Sequence, residues 1–381
     1  MIDKAELVSV ADDEVVLCYP AILGEPAVPL AVGVGASREV VEPPEIIEPA
    51  RIVRFHSLLP GSEMNIDGLT IHTLPRPSGE RLSTIATVND LHFGETVCGE
   101  LGTIPVSPML RDPDGALPHA DLMNRAVVAD ISLIDEHTGF AADLVIAKGD
   151  LTDNGTATQF DSFMNLYGTA FDSRLRWMRG NHDRKNGSVI TGPRVDSVDL
   201  DGVTLALLDT SVDDSDSGTL LPDQIEWLDE LASRADRPVL VFGHHHPATP
   251  GAHAPGDYYF GIDPEASSAL VEVIARRTAI AGYFAGHTHR NRTRYFAETG
   301  PVPYVEVACV KDFPGSWAEY RVFEGGILQV HRRATGAEAL AWSEATRVLY
   351  GGLYPEYALG SPSDRCFSIE FRTGADRRRQ A

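Results

Sequence analysis

Short apolar runs alternate with polar turns along the first 78 residues, and no helical period is visible there. The apolar segments include "EVVLCY", "AVPLAVGVG", "ARIVRFHSL" and "LTIHTL", with proline, glycine and charged residues between them. This pattern predicts a small antiparallel β domain over residues 1–78. Pro75 and Pro77 mark its boundary with the next domain.

From residue 82 the pattern changes to strand, loop and helix. The runs "LSTIATV", "ADLVIA", "LRWM", "RPVLVF" and "AIAGYFA" are typical of strands buried on both faces of a sheet. Between them, three segments place apolar residues at helical spacing, and we predict that these stripes face the core. The core-facing positions are Phe160, Phe163, Met164 and Tyr167; Leu221, Ile225, Leu228 and Ala232; and Ala266, Ala269, Leu270, Val273 and Ile274.

The second half of the chain adds antiparallel pairing. "SVDLDGVTLALLDTS" predicts a hairpin that turns at Asp201-Gly202, and therefore a second sheet. Further strands are expected in "VPYVEVACV", "AEYRVFE" and "GILQVHRR", followed by a helix in "EALAWSEATRVLYGG" and a last strand in "RCFSIEF". We predict an α/β domain over residues 79–335 and an extension, residues 336–381, that packs on it.

The chain is strongly acidic, which limits its partners. It has 381 residues, 55 Asp and Glu against 32 Lys and Arg, and a formal charge of -23. Such a charge repels phosphate backbones and anionic membranes, so we expect neither nucleic acid nor a membrane as a partner. The basic run "DRRRQ" near the C-terminus is expected to be a solvated tail. An acidic protein that handles phosphates needs local positive charge, which metal ions can supply.

Targeting and cysteine patterns favour a cytoplasmic protein. The N-terminus lacks a basic start followed by an apolar core, and no run of about 18 apolar residues occurs. Cys18, Cys98, Cys309 and Cys366 are scattered and form no CxxC pair. We therefore expect free thiols in a reducing compartment.

A cluster of polar residues follows each of the five buried strands. The clusters are Asp90-Leu91-His92, Gly149-Asp150 with Asp153, Gly180-Asn181-His182-Asp183, Gly243 with His244-His245-His246, and Gly286-His287-Thr288-His289. Loops at the carboxyl ends of strands in an open α/β sheet converge on one crevice. We therefore predict that the five clusters form a single site.

The residue types indicate metal chemistry. Imidazole and carboxylate ligands without cysteine suit Mn, Fe or Zn. Six or seven ligands are too many for one tetrahedral zinc and suit two divalent or mixed-valence ions that share a carboxylate. Such two-metal sites are a recurring solution for phosphoester hydrolysis, in which water bound to the metals becomes the nucleophile.

The stretch "GNHD" divides its tasks among neighbouring side chains. The neutral amide of Asn181 can ligate a metal without adding negative charge. His182, next to it on a turn, is predicted to meet the leaving-group oxygen as a general acid or as a donor to the transition state. Asp183 is then expected to orient and charge-tune that imidazole.

With these motifs in order, the sequence resembles the calcineurin-like metallophosphoesterases over roughly residues 82–330. The family carries D-x-H, G-D-x-x-D, G-N-H-[DE], a later histidine and G-H-x-H at strand ends. They stand here as "DLH", "GDLTD", "GNHD", "HHHP" and "GHTH". The resemblance implies a four-layer αββα sandwich of two mixed β-sheets around a bimetal centre, preceded here by the small all-β domain.

The resemblance also implies a ligand set. One metal would be held by Asp90, His92, Asp150 and His289, and the other by Asn181, His245 and His287, with Asp150 as the bridge. In the family the ligand usually lies two residues before a proline, which favours His245 over His244. Asp153 is expected to support the ligands, and His244 and His246 to lie behind them or in a lid.

Two subgroups are similar to parts of this chain. Residues 1–78 resemble the fibronectin-III-like domain that precedes the catalytic domain of purple acid phosphatases. Those enzymes carry a tyrosine ligand where this chain has Asp153, so no purple ferric centre is expected. The ligand set is similar to that of bacterial class III cyclic-nucleotide phosphodiesterases.

The resulting hypothesis is a binuclear metallophosphoesterase that hydrolyses small phosphodiesters or phosphomonoesters by attack of a metal-bridging hydroxide, with 3′,5′-cyclic nucleotides as candidate substrates. A broad-specificity phosphomonoesterase and, less favoured, a non-catalytic scaffold on this fold are the alternatives. Scaffolds of this fold typically lose ligands or the histidine after asparagine, whereas His182 is present here. A DNA nuclease conflicts with the charge. For the N-terminal domain three roles stay open: shaping the cleft, forming a homodimer, or covering the sheet.

Overall fold

The computed structural model describes residues 5–24, 40–99, 108–133, 141–253 and 260–372. The predicted strand segment at 27–35 and the basic run at 376–380 lie outside the described residues. None of the helices in these ranges has the length and apolar character needed to cross a membrane. All four cysteines fall within the ranges and are buried free thiols, as predicted.

Eight short strands precede residue 80, and fourteen follow it in the described ranges. The first eight are β1 (Glu6–Val10), β2 (Val15–Tyr19), β3 (Ile22–Leu23), β4 (Val40–Val41), β5 (Ile46–Glu48), β6 (Arg51–Phe55), β7 (Glu63–Ile66) and β8 (Leu69–His72). The others are β9 (Arg81–Val88), β10 (Val97–Cys98), β11 (Met109–Arg111), β12 (Leu144–Lys148), β13 (Leu175–Met178), β14 (Val195–Leu200), β15 (Val203–Leu208), β16 (Val239–Gly243), β17 (Ile280–Ala285), β18 (Arg292–Tyr295), β19 (Pro303–Glu306), β20 (Ser316–Phe323), β21 (Gly326–Arg333) and β22 (Phe367–Glu370).

Helices fill the connections between the later strands. They are α1 (His119–Ser132), α2 (Ala157–Phe163), α3 (Thr169–Phe171), α4 (Pro222–Arg234), α5 (Pro264–Arg276), α6 (Ala337–Ala345), α7 (Tyr354–Leu359) and α8 (Pro362–Arg365). A π-helical turn, Met164–Gly168, joins α2 to α3, and short 3₁₀ turns lie at Asp172–Arg174, His182–Arg184 and Thr346–Gly352.

Two six-stranded mixed sheets form the centre of the molecule. The strand order of the first is β13-β12-β9-β20-β21-β22, in which β9, β12 and β13 run parallel. The order of the second is β14-β15-β16-β17-β19-β18, in which β15, β16, β17 and β19 run parallel. The predicted hairpin at Asp201-Gly202 is confirmed, since β14 and β15 pair antiparallel around it.

Successive side chains along a central strand pack into two different cores, one on each face of the sheet. This arrangement produces four layers. On β12, Ile146 packs with Leu205 and Phe242 of the second sheet, in a core between the sheets. Its neighbour Val145 packs with residues of α1 and α2 on the outer face. A third core lies between the second sheet and helices α4 and α5. Because a strand points alternate side chains to opposite faces, strands buried on both faces read as continuous apolar runs.

The predicted helices form, but one residue of their predicted core-facing stripes is exposed. Helix α4 begins at Pro222 as expected, and α5 buries Leu270, Val273 and Ile274. In the first stripe Phe163 and Tyr167 are buried, whereas Met164 is 37% exposed, so its assignment to the core is wrong. The π-helical turn that starts at Met164 adds a residue per turn and rotates that side chain outward.

The first strands pack on the first sheet. Strands β1, β2 and β6 form a three-stranded antiparallel sheet, and β4 pairs with β11 of the α/β region. Ala11 shares a small core with Phe323, Leu328 and Val330 of β20 and β21. The domain boundaries and the fibronectin-III-like character stay predictions.

Candidate functional site

The five polar clusters lie at the carboxyl ends of parallel strands. Strands β9, β12 and β13 of the first sheet and β16 and β17 of the second each end directly before one cluster. Since the two sheets pack face to face, both sets of loops open on the same edge. The structure therefore brings together the clusters that were predicted from their spacing.

The first group of potential ligands contains Asp90, His92 and His289. One ligand atom from each lies within 4.8 Å of the others. His289 Nε2 is 3.7 Å from Asp90 Oδ1, and His92 Nε2 is 3.6 Å from Asp150 Oδ2. Asp150 is thus next to this group.

The second group contains His244, His245 and His287, again with ligand atoms within 4.8 Å of one another. His244 Nε2 lies 3.1 Å from Asn181 Oδ1 and 3.4 Å from Asp150 Oδ2. Asp150 therefore contacts histidines of both groups, which is the position that a bridging carboxylate requires. Its assignment as the bridge stays a prediction.

His244 and His245 are both held as metal ligands usually are. Nδ1 of His245 lies 2.8 Å from Thr210 Oγ1, while its buried Nε2 has no hydrogen-bond partner in the described part of the protein. His244 donates through Nδ1 to the carbonyl of Lys148 at 2.8 Å, and its Nε2 is directed at Asn181 Oδ1 and Asp150. A hydrogen bond at one ring nitrogen fixes the tautomer and orientation for ligation by the other. The preference for His245 over His244 stays a prediction, since the structure places both histidines in the second group of potential ligands.

Several predicted ligands have a strained backbone. The φ angles are 53° at Asp90, 48° at His92, 50° at Asp150, 70° at His287 and 53° at His289. Residues other than glycine rarely adopt this left-handed region, and each instance costs of order 1–3 kcal/mol. Their concentration at one edge of the sheets indicates that the fold is organised around this site.

Glycines before the ligands allow the loops to approach closely. A Cβ at Gly180 would lie 2.2 Å from Asp150 Oδ1, and a Cβ at Gly149 would lie 2.5 Å from His244 Nδ1. No side chain fits in these positions. The glycines that precede the predicted ligands are therefore a steric requirement of the site.

His182 faces the site, but its partner is not the one expected. Nδ1 of His182 lies 2.7 Å from the carbonyl oxygen of Asp153 and Nε2 lies 2.9 Å from Lys185 Nζ. The prediction that Asp183 orients His182 is wrong. The carboxylate of Asp183 is buried and accepts hydrogen bonds from the backbone N–H groups of Leu151, Thr152 and Gly180 and from the Thr152 hydroxyl.

The physical reason is the turn that carries these residues. His182–Arg184 forms a 3₁₀ turn, on which consecutive side chains point about 120° apart. Asp183 is therefore directed inward, where it satisfies the loop after β12, while His182 is directed to the cavity. The backbone carbonyl of Asp153 accepts from His182, which is not a predicted ligand, and the support of the ligands by Asp153 stays a prediction.

Charge at the site favours bound cations. Burial opposes the charge on His92 and His244, but neighbouring carboxylates outweigh it and raise the pKa of these residues to about 10 and about 9. Burial lowers the pKa of His182 to about 4 and holds the pKa of His245 and His287 well below the usual value. Bound cations would replace the protons that these carboxylates hold on the imidazoles, so the donor set fits divalent metal ions.

A cavity of about 380 Å³ opens over these groups. Asp150, Asn181, His182, His287 and His289 line it, as predicted for a common site. Sequence reasoning missed its other residues: Lys185, Asp216, Phe260, Thr288, Tyr350, Leu353, Tyr354 and Tyr357. The tyrosines had a signal, because Tyr350, Tyr354 and Tyr357 repeat at helical spacing in the C-terminal extension.

Glu95 is a further missed residue. Its Oε2 lies 3.2 Å from His92 Nδ1, and its Oε1 accepts from Lys311 Nζ at 2.7 Å. A carboxylate behind a ligating histidine is the usual support for a metal site. The motif "DLHFGE" places Glu95 three residues after His92, but nothing in that spacing alone distinguishes it from a surface residue.

Comparison with known proteins agrees with this geometry. Residues 83–291 match the family model described as calcineurin-like phosphoesterase. A probable cyclic nucleotide phosphodiesterase of Rhodococcus erythropolis is 31% identical over 185 residues, 45% of this chain and 59% of that protein. The 3′,5′-cyclic adenosine monophosphate phosphodiesterase CpdA of Pseudomonas aeruginosa is 29% identical over 181 residues, 46% of this chain and 64% of that protein. The chain thus spans about three fifths of the length of these curated relatives.

A solved structure extends the likeness to the fold. The crystal structure of a dimetal phosphatase of Danio rerio matches with a TM-score of 0.50 at 15% identity, over 67% of this chain and 98% of that chain. The predicted metallophosphoesterase fold, an α/β sandwich with mixed sheets, is confirmed. Because the family model spans more than half of the sequence, this protein belongs to the calcineurin-like phosphoesterase family.

Proposed function

We propose that this protein is a binuclear metal-dependent phosphodiesterase whose substrates are small phosphodiesters, with 3′,5′-cyclic nucleotides as the favoured class. The observation that carries the proposal is that two groups of potential ligands flank Asp150 at the base of a cavity that Asp150, His182, His287 and His289 line. The names of the two bacterial relatives support the choice of cyclic nucleotides. We place the protein in the cytoplasm.

The donor set assigns residues to two metal ions. Asp90, His92, Asp150 and His289 would hold one ion, and Asn181, His245 and His287 the other, with Asp150 shared. Bound metal ions supply Lewis-acid chemistry, since they neutralise charge on phosphoryl oxygens and make water a stronger acid. The cysteine-free set suits Mn, Fe or Zn.

The chain's own residues orient the substrate and move the proton. His182 donates through Nδ1 to the Asp153 carbonyl, so its Nε2 is the atom that serves the leaving-group oxygen. Lys185 Nζ, 2.9 Å from that nitrogen, supplies positive charge beside the phosphate. Asn181 is fixed by donating to Asp216 Oδ1 at 3.2 Å, which leaves its amide oxygen directed at His244.

The deciding experiment uses protein reconstituted with Mn²⁺. Matched aryl phosphodiester and aryl phosphomonoester substrates are compared, with cyclic AMP alongside and Asp150→Ala as the control that lacks the shared ligand. We expect diester turnover well above monoester turnover, together with hydrolysis of cyclic AMP. A preference for monoesters would make the protein a general phosphatase. Absence of turnover on all three, with both metals bound, would overturn the proposal in favour of a scaffold.

A further inference from the structure

The C-terminal extension contributes one wall of the cavity. Tyr350, Leu353, Tyr354 and Tyr357 line it, and we call these four residues the C-terminal wall. They lie beyond residues 83–291, the segment that matches the family model. The wall is therefore contributed by residues outside the segment that the family model matches.

Hydrogen bonds tie the wall to the loop that carries His287 and His289. The Tyr357 hydroxyl donates to the backbone carbonyl of Thr288 at 2.9 Å. The backbone N–H of Asn291 donates to the carbonyl of Ala358, also at 2.9 Å. The guanidinium of Arg290 lies 5.2 Å from the centroid of the Tyr357 ring. The wall is thus held in a fixed position relative to two predicted metal ligands.

The three tyrosine rings of the wall pack side by side. The centroids of Tyr350 and Tyr354 are 5.1 Å apart, and those of Tyr354 and Tyr357 are 6.4 Å apart with an angle of 23° between the planes. Tyr354 is the buried member, because its hydroxyl donates to Asp312 Oδ1 at 2.5 Å. Tyr357 and Leu353 remain 39% and 60% exposed.

The backbone is strained where the wall begins. Tyr350 has a φ of 51°, and Gly351 and Gly352 follow with 66° and 81°. A bulky residue in this left-handed region is an outlier, and such strain is typical of functional segments. The turn places Tyr350 at the cavity and returns the chain into α7.

Exposed apolar rings beside a polar phosphate site indicate a ligand with a flat apolar part. Aromatic side chains stack well on nucleobases, whatever the base. A glycerol or other polyol diester has no such flat face. The cavity volume of about 380 Å³ lies within the range of about 300–1,000 Å³ for small-molecule sites.

We infer that the C-terminal wall binds the heteroaromatic base of a mononucleotide whose phosphodiester lies against His182 and the metal ligands. This inference rests on the proposed phosphodiesterase function and narrows its substrate class. Tyr357 and Tyr350 are the residues that determine specificity. No covalent step is added, because the wall acts only in binding.

The test compares two substrates that differ only in the base. Cyclic AMP is measured against the same ribose 3′,5′-cyclic phosphate without a base at C1′, with Mn²⁺-loaded protein. We expect KM for cyclic AMP to be about 5- to 100-fold lower than KM for the abasic compound, the range for one base on an aromatic platform. Equal KM values would overturn the inference and leave the phosphodiesterase function intact.

Variants locate the effect on the wall. Tyr357→Ala is expected to raise KM for cyclic AMP at least about 5-fold without changing KM for the abasic compound, whereas Tyr357→Phe retains most of the affinity because the ring remains. Tyr295→Ala is the matched control, since Tyr295 is 56% exposed and does not line this cavity. An equal rise for both substrates in Tyr357→Ala would overturn the assignment of Tyr357.

A binding measurement on the wild-type protein tests the inference even if the protein does not hydrolyse cyclic AMP. Calorimetric titration of the Mn²⁺-loaded protein with AMP and with ribose 5-phosphate compares the same phosphate with and without its base. Tighter binding of AMP supports the wall even if cyclic AMP is not hydrolysed, in which case only the proposed reaction fails. Equal affinities would contradict the inference.

Discussion

His182 combines exposure to the cavity with a fixed tautomer. Its Nδ1 is 2.7 Å from the Asp153 carbonyl, so a substrate would meet Nε2, which lies 2.9 Å from Lys185 Nζ. We expect His182→Ala to lower turnover about 10²–10⁴-fold, the range for general acid–base groups. Metal content should be unchanged, because the imidazole is not among the predicted ligands. Steady-state kinetics and metal analysis on the same sample check both expectations.

The control for this variant is Asp150→Ala. It removes the predicted shared ligand, so it should lose both activity and metal. If His182→Ala retains wild-type turnover, His182 has no part in the reaction. If it loses metal as Asp150→Ala does, then it is a ligand and the division of roles within "GNHD" has to be revised.

Asp183 has a structural role, although its neighbours Asn181 and His182 are predicted to act at the metal site. Its buried carboxylate accepts from three backbone N–H groups and one hydroxyl, all in the loops after β12 and β13. We expect Asp183→Ala to destabilise the protein by at least about 3 kcal/mol, because each buried donor left without a partner costs about 1–3 kcal/mol. Urea unfolding of the metal-free protein measures this loss. A variant of wild-type stability with impaired turnover would instead return Asp183 to the role of tuning His182.

The contrast between these neighbours shows what a local pattern can establish. The types Asn, His and Asp after a strand were enough to predict a site, because those groups rarely cluster without a reason. Their directions were not, because a 3₁₀ turn separates successive side chains by about 120°. The orientation of the His182 imidazole depends on the backbone carbonyl of Asp153, which lies in another loop.

At the scale of elements, the strands were easier to predict than the helices that connect them. Apolar runs buried on both faces identified β9, β12, β13, β16 and β17, and the glycine after four of them marked the loops. Helix α1 was not predicted, since its stripe of Met123, Val127 and Ile131 is interrupted by polar residues such as Asn124. Asn124 is buried and donates to the Leu91 carbonyl, a contact between distant residues that no local period shows.

Helices α4 and α5 are joined by an ion cluster that should be sensitive to pH. Asp229 of α4 accepts from Arg277 and Arg276 at 2.8 Å, and these bonds lower the pKa of Asp229 to about 2. Because the pKa is depressed in the folded state, the stabilisation is present above the unfolded value of about 3.9 and is lost as pH falls toward 2. The Asp229 side chain is partly exposed to solvent and its arginine partners are more exposed, so the effect is modest.

Asp229→Asn tests this link between the two helices. We expect the variant to unfold at lower urea than the wild type at pH 6, and the difference to shrink as pH falls from about 4 to 2. Glu226→Gln, exposed on the same helix, is the matched control and should follow the wild type. A difference that is independent of pH would show that packing, and not the charge of Asp229, joins the helices.

At the scale of the whole molecule, a formal charge of -23 still allows local clusters of basic side chains. Arg290, Arg292 and Arg294 lie within 4.0 Å of one buried carboxylate, that of Glu306, just after the "GHTH" motif. Lys185 lines the cavity itself. Since Asp150 and Asp216 also line the cavity, the positive charge that an anionic substrate requires would come from bound metal ions as well as from Lys185.

The N-terminal strands are attached to the first sheet by buried charges. Arg321 of β20 is 2% exposed and donates at 2.9 Å to Asp12 and to Asp13, both in the turn between β1 and β2. It also contacts Glu319 at 2.8 Å. Of the three roles that the sequence left open for this region, the contacts favour covering the sheet.

Arg321→Ala should therefore weaken the whole molecule and not only one loop. Removing Arg321 leaves Asp12 and Asp13 with only the partly exposed Arg76 among the ion pairs of the described residues, so we expect a cost near the lower end of the range of about 3–5 kcal/mol for breaking a buried pair. Arg76, which is 45% exposed and also pairs with Asp12, is the matched control, and Arg76→Ala should cost at most about 1 kcal/mol. Urea unfolding gives the two free energies, and hydrogen exchange should show the amides of β1 and β2 opening first in Arg321→Ala. If those strands keep their protection while the rest of the first sheet loses it, the cluster stabilises the sheet itself, and the N-terminal strands are held by the apolar contacts of Ala11 with Phe323 and Leu328.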